Sequence, residues 1–294
     1  MTTIVVGIDG SDGAKSALRW ALEEATRFGD TKIVAVSVWF APLPITSPWL
    51  TGIDVPIDLT DATAKALAHT VSAVAGEQFG ATEVEQRVIH GAAAPALLAE
   101  AQHADLIVVG SRGLGGFKGL LLGSVSHQVV SHAPCPVVVV PEHERPDTAQ
   151  SGARSIVVGV DGSPHSIAAL RWAARRARVT GETIRATFVW RIPTVFAKPP
   201  PLTAGVPSAE IMRDAAATAL DGYIEDAALP LDVHVERVNV EGTAANALLA
   251  EGRRAELLVV GARGHEGFAG LLLGSVATAV VHHAPCPVAV IPER

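Results

Sequence analysis

Short apolar runs alternate along the chain with longer stretches whose apolar positions recur at helical spacing. Residues 4–8 form the first such run and predict a strand. Ala14, Ala17, Leu18, Ala21, Leu22, Ala25 and Phe28 then share one helical face, and Ser11 stands where it can cap that helix. A second strand is expected at about 32–38. After a proline-rich connection come a helix over about 59–79, a strand at about 84–89 and a short helix near 94–102. A fourth strand at 106–110, a helix starting near Ser124 and a last strand at 136–140 complete the series. Strands apolar on both faces and separated by helices predict a parallel sheet covered on both sides. Right-handed crossovers make this a doubly wound α/β domain, with expected strand order 3-2-1-4-5. The crevice at the switch point then lies between the ends of strands one and four.

The whole pattern occurs twice. "IVVGIDGSDGAKSALRWA" at 4–21 is matched by "IVVGVDGSPHSIAALRWA" at 156–173, and residues 106–141 agree with 257–292 at 25 of 36 positions. A period of about 151 residues is too long for a solenoid and suits duplication of a whole domain. In the second copy Ser163-Pro164 supplies a cap residue followed by proline at the first helical position. The predicted domains are 1–143 and 154–294, joined by a polar linker at 144–153.

Composition narrows the picture. The 294 residues, 49% hydrophobic, are enough for two cores. No run of 18 apolar residues exists, and the N-terminus lacks the basic, apolar and cleavage regions of a leader, so a cytoplasmic location is expected, without membrane insertion. A net charge of −7 argues against nucleic acid as a partner. Arg171, Arg175 and Arg178 fall on one helical face, either a solvated face or one that meets an acidic surface. Cys135 and Cys286 occur in identical "HAPCPV" settings and read as buried, reduced thiols, with no metal-ligand spacing around them.

The candidate chemistry lies in Gly110-x2-Gly113-x9-Gly123-Ser124, repeated as Gly261-x2-Gly264-x9-Gly274-Ser275. Gly110 is expected to let a ligand approach the backbone, and Gly113 to permit a turn. Gly123-Ser124 opens a helix, where free N–H groups and the helix dipole favour an anion. Ser124 and Ser126 can donate to phosphate oxygens, but Ala277 replaces Ser126 in the second copy, and Ala269 replaces Lys118 inside the loop. Neither a GxxxxGK[ST] loop nor a G-x-G-x-x-G fingerprint occurs. Arg112 and Arg263, inside the frame, either touch phosphate or tie the loop to another domain. Asp9 and Asp161, at the ends of the first strands, read as ribose-hydroxyl acceptors, as metal ligands through water, or as turn formers. No catalytic triad or nucleophile elbow is present.

With both glycine frames, the strand-one Asp, the "LLLGSV" run and the "CPV" final strand in each half, the chain resembles a tandem universal stress protein of the ATP-binding, actinobacterial type. The resemblance spans nearly the whole chain. It implies two Rossmann/flavodoxin-like domains that bind ATP, with or without Mg. Carried over by position, the first site would comprise Asp9, Val38, Gly110, Gly113, Gly123, Ser124, Val125 and Ser126. The second would comprise Asp161, Val189, Gly261, Gly264, Gly274, Ser275 and Val276, with Ala277 making it weaker. The implied role is regulatory: nucleotide occupancy biases the loops and partner contacts during stress. No catalysis beyond weak ATP hydrolysis is expected. A slow ATPase and a scaffold that is empty or holds flavin or cyclic AMP are the alternatives. Expected partners besides ATP are a regulatory protein and a second copy in a homodimer.

Overall fold

The computed structural model describes residues 2–40, 58–76, 79, 82–114, 122–142, 154–191, 208–265 and 272–293. The predicted linker 144–153, the proline-rich connections and the middles of both glycine loops lie outside these residues. The chain divides into two compact units, Met1–Glu142 and His143–Arg294.

The first unit runs β1 (Thr2–Gly7), α1 (Asp12–Phe28), β2 (Thr31–Trp39), α2 (Thr60–Ala75), β3 (Val84–His90), α3 (Ala93–Ala101), β4 (Leu106–Gly110), α4 (Ser124–His132) and β5 (Val137–Val140). All pairings are parallel, in the order β3-β2-β1-β4-β5. The second unit runs β6 (Ser155–Val160), α5 (Pro164–Thr180), β7 (Thr183–Trp190), α6 (Ala209–Ala227), β8 (Val235–Glu241), α7 (Ala244–Gly252), β9 (Leu257–Gly261), α8 (Ser275–His283) and β10 (Val288–Ile291). Its order, β8-β7-β6-β9-β10, repeats the first. The doubly wound fold and its strand order are therefore as expected.

Local chemistry accounts for most boundaries. The Ser11 hydroxyl accepts the Ala14 N–H at 3.1 Å and Ser163 accepts the Ser166 N–H at 3.2 Å, capping α1 and α5. Each such cap contributes about 1 kcal/mol. The helix expected to reach 79 stops at Ala75, because Gly76 takes φ +45° and turns the chain out of the helix. On α1 the predicted apolar face is buried from Ala14 to Ala25, whereas Phe28 at the helix end is 38% exposed. Arg171 donates to the Ala227 and Asp226 carbonyls and Arg178 pairs with Asp232. Two of the three aligned arginines thus serve the end of the neighbouring α6 and the turn after it.

One ionic cluster is solved differently in the two units. Arg87, on β3, pairs with Glu85 and Glu100. In the second unit the matching carboxylates, Glu236 and Glu251, are held by Arg185, on β7. The register aligns Val34 with Glu85 and Arg185 with Glu236, so the arginine has moved from one strand to the adjacent one while its two partners stayed.

Candidate functional site

At the carboxyl end of the first sheet, between β1 and β4, lies a cavity of about 490 Å³. All eight first-half candidates line it: Asp9, Val38, Gly110, Gly113, Gly123, Ser124, Val125 and Ser126. Parallel topology brings them together, since every strand delivers its C-terminal end to the same edge. The walls also include Ile8, Val36, Leu97 and Leu122, which give one part of the cavity an apolar lining. Val36 was legible in principle: it lies two residues before Val38 on the same strand face. Leu97 belongs to a helix whose inward face only the fold reveals.

The three frame glycines of the first unit answer different demands. A Cβ on Gly110 would lie 2.6 Å from the Gly13 carbonyl carbon and 3.0 Å from the Ala14 nitrogen. Its bareness therefore lets α1 pack against β4, where ligand approach was expected. A Cβ on Gly113 would lie 2.3 Å from Asp9 Oδ2, so this glycine makes room for that carboxylate. Gly123 is different. A Cβ there would meet only ordinary contacts, 3.5 Å and beyond, and its φ of −73° suits any residue. Gly123, not Ser124, is the N-cap of α4, and no side chain caps the helix. The same holds for Gly274 at α8. A Ser or Asp at this position would satisfy a first-turn N–H group; glycine leaves these donors to an external acceptor.

Asp9 acts as a clasp. Its Oδ1 accepts the Ser11 N–H at 3.0 Å and the Ser11 hydroxyl at 2.6 Å, and its Oδ2 accepts the Leu114 N–H at 3.0 Å. The carboxylate thus ties the end of β1 to the start of the glycine loop. Ser126 corrects the sequence reading. Although it borders the cavity, its hydroxyl donates to the Gly110 carbonyl at 2.6 Å and binds α4 to the end of β4. Arg112 lines the cavity and its guanidinium reaches Glu142 of its own unit at 2.6 Å.

The second unit rebuilds the frame with altered neighbours. Asp161 accepts from Ser163 at 3.0 Å and 2.6 Å and from the His265 N–H at 3.3 Å. Burial pushes its carboxyl pKa up, but the bonds from Ser163, Ser166 and His265 outweigh this and hold it below the ordinary value. A Cβ on Gly264 would lie 2.5 Å from Asp161 Oδ2, and one on Gly274 would lie 3.6 Å from the Gly264 nitrogen. Asp161, Gly264, Gly274, Ser275 and Val276 are therefore gathered at the start of α8, while Val189 stands at the matching end of β7. Thr187 replaces Val36, buried, with its hydroxyl donating to the Arg185 carbonyl at 3.3 Å. Ala277, 2% exposed, lacks the tie that Ser126 makes. His165 stands where the first unit has Gly13, and a Cβ on Gly261 would lie 2.6 Å from its Cβ.

Among the described residues, no group of three His, Cys, Asp or Glu side chains is placed to hold a metal ion. No helix among them is long and apolar enough to cross a membrane.

The sequence profile described as "Universal stress protein family" matches residues 1–141 and again 152–292. A universal stress protein from Mycolicibacterium smegmatis is 32% identical, aligned over 99% of this chain and 97% of its own length. A second, from Mycobacterium tuberculosis, is 32% identical over 99% of this chain and 96% of its own. The solved structure of a universal stress protein from Archaeoglobus fulgidus shares the fold, with a TM-score of 0.67 at 22% identity, over 99% of this chain and 96% of that one.

Proposed function

We propose that this chain, which belongs to the universal stress protein family, is an ATP-binding regulatory protein of the stress response. Its nucleotide domains span 1–143 and 154–294, with 144–153 as the linker. The observation that carries this reading is Gly123. Among the described residues it is the one frame glycine of the first unit that no protein neighbour requires, and no described side chain caps the start of α4 where the cavity opens. The Gly123 N–H already donates to the Ser111 carbonyl at 2.8 Å, so a polyphosphate accepting the Ser124 and Val125 N–H groups satisfies the open donors of the first turn. The apolar walls at Val36, Val38 and Leu97 suit a flat base, and about 490 Å³ falls in the size range of small-ligand sites.

Asp9 holds the loop through Leu114 and offers the ligand its position rather than a proton. Its carboxylate is already engaged, and any magnesium is carried in on the triphosphate. With no paired carboxylates among the described residues of the crevice, and Asp9 already engaged as a clasp, ATP acts as a ligand that shifts a conformational population, and turnover is at most slow. The second crevice, gathered around Asp161, Gly264 and Gly274, takes the same ligand more weakly.

Mass spectrometry of the small molecule released on denaturing the purified protein, with its stoichiometry, tests the reading. Two ATP per chain, or one held at the first site, is the expected result. A flavin or a cyclic nucleotide would redirect it to another adenine ligand. No released nucleotide, together with no heat of binding on adding Mg-ATP, would overturn it.

A further inference from the structure

One chemical difference between the two crevices lies behind the glycine loop. Gly13 in the first unit is bare because the Arg112 carbonyl closes on it; a Cβ there would lie 2.6 Å from that oxygen. The second unit has His165 instead, the second residue of α5. Its side chain is buried, and Nε2 has no hydrogen-bond partner among the described residues. That nitrogen lies 3.6 Å from Glu293 Oε2, just beyond β10. The charged groups facing the ring are Glu293, Arg263 of the glycine loop and Asp161 of the clasp. Burial is the main force on its pKa and lowers it; Glu293 and Asp161 oppose, Arg263 reinforces, and the net value falls below that of an ordinary histidine. In the first unit the carboxylate matching Glu293 is Glu142, and it pairs with Arg112.

We infer that His165 is a positioning residue that makes the second anion site respond to pH. Protonated, it places a cation behind the turn from Gly261 to Gly264 and strengthens the hold on a polyphosphate. Neutral, it leaves the site at its weaker setting. The inference rests on the reading that the second crevice binds a nucleotide. By linkage, a bound polyphosphate must then favour the protonated ring. A one-unit rise in its pKa corresponds to about a tenfold gain in affinity across the titration.

The test uses the full chain and Mg-ATP, with the first site as internal control for titration of the ligand's own phosphates. Calorimetry between about pH 8 and about pH 5.5 should show second-site affinity rising relative to the first by up to about tenfold. In labelled protein, the NMR titration of the His165 ring should move to higher pH when Mg-ATP is added. His165→Gln should still bind at the higher pH and lose the difference in slope between the sites. Equal slopes in the wild type, or a difference that survives His165→Gln, overturns the inference alone. If the second site takes no Mg-ATP at either pH, the nucleotide reading of that crevice falls with it.

Discussion

The two crevices share a glycine frame and differ in what stands around it. In the first, Gly13 lets the loop backbone close on α1, Ser126 ties α4 to β4, and Arg112 is held by Glu142. In the second, His165 fills the space behind the loop, Ala277 makes no tie, and Glu293 faces the histidine. Yet both keep the aspartate clasp and the uncapped helix start. On the proposed reading, the parts held constant are those that would shape an anion site from backbone, and the parts that vary would set how firmly and under what conditions it is held.

The comparison breaks most sharply at Gly123. Gly123→Asp should cap α4 with its own carboxylate and repel phosphate, costing the first site about 2–3 kcal/mol or more of binding. The fold should survive, because a Cβ there meets ordinary contacts. Calorimetry should then find only the second site; unchanged first-site binding would remove the helix start from the phosphate cradle. Next comes the clasp. Gly113→Ala pushes a methyl onto Asp9 Oδ2, and the chain should lose about 1–3 kcal/mol in urea unfolding. Gly264→Ala should behave alike in the second unit, so a loss in only one of them would show that the two clasps are not equivalent.

Smaller effects sharpen the difference. Ser126→Ala makes the first unit resemble the second and leaves the Gly110 carbonyl without its 2.6 Å donor. A stability loss of about 1 kcal/mol is expected, with first-site affinity moving toward that of the second site. Measured affinities that stay apart would assign the inequality to His165 or Thr187 instead. The smallest effect is on stability against pH. His165 has its folded pKa below the ordinary value, so the unfolded chain binds the proton more readily. Stability contributed by the neutral ring is full above the ordinary histidine pKa of about 6.5 and is lost as pH falls through that value toward the folded one. The urea midpoint of the wild type should therefore drop more on acidification than that of His165→Gln. Parallel drops would mean that the ring titrates freely.

Much of this was legible in the sequence. Apolar runs and helical spacing located every strand and helix of the first unit, because a parallel sheet buries both faces and leaves few ambiguous positions. The tandem repeat supplied the second unit. What sequence reading missed was direction. Ser126 is a hydroxyl beside a glycine frame, and only coordinates show that it turns to Gly110 rather than into the cavity. Gly110 and Gly113 were singled out for ligand approach and turn geometry, whereas the neighbours demanding their bareness are Gly13 and Asp9. Those neighbours are about a hundred residues away in sequence, and no local pattern records them. Arg112 was set between phosphate and another domain; in its own unit it pairs with Glu142 while lining the cavity, a pairing that no local pattern foretold.

The arginine that changed strands limits how this gene can be recombined. A crossover between the two copies that falls between the second and third strands joins β2 to β8, or β7 to β3. One hybrid sheet then keeps Lys32, which pairs with Glu85 in the first unit, but carries no arginine against its two glutamates, and the other carries two, Arg185 and Arg87, on neighbouring strands. Crossovers elsewhere in the repeat leave the cluster whole. Each repeat is thus matched internally at this cluster, its arginine suited to its own pair of adjacent strands rather than to those of the other copy.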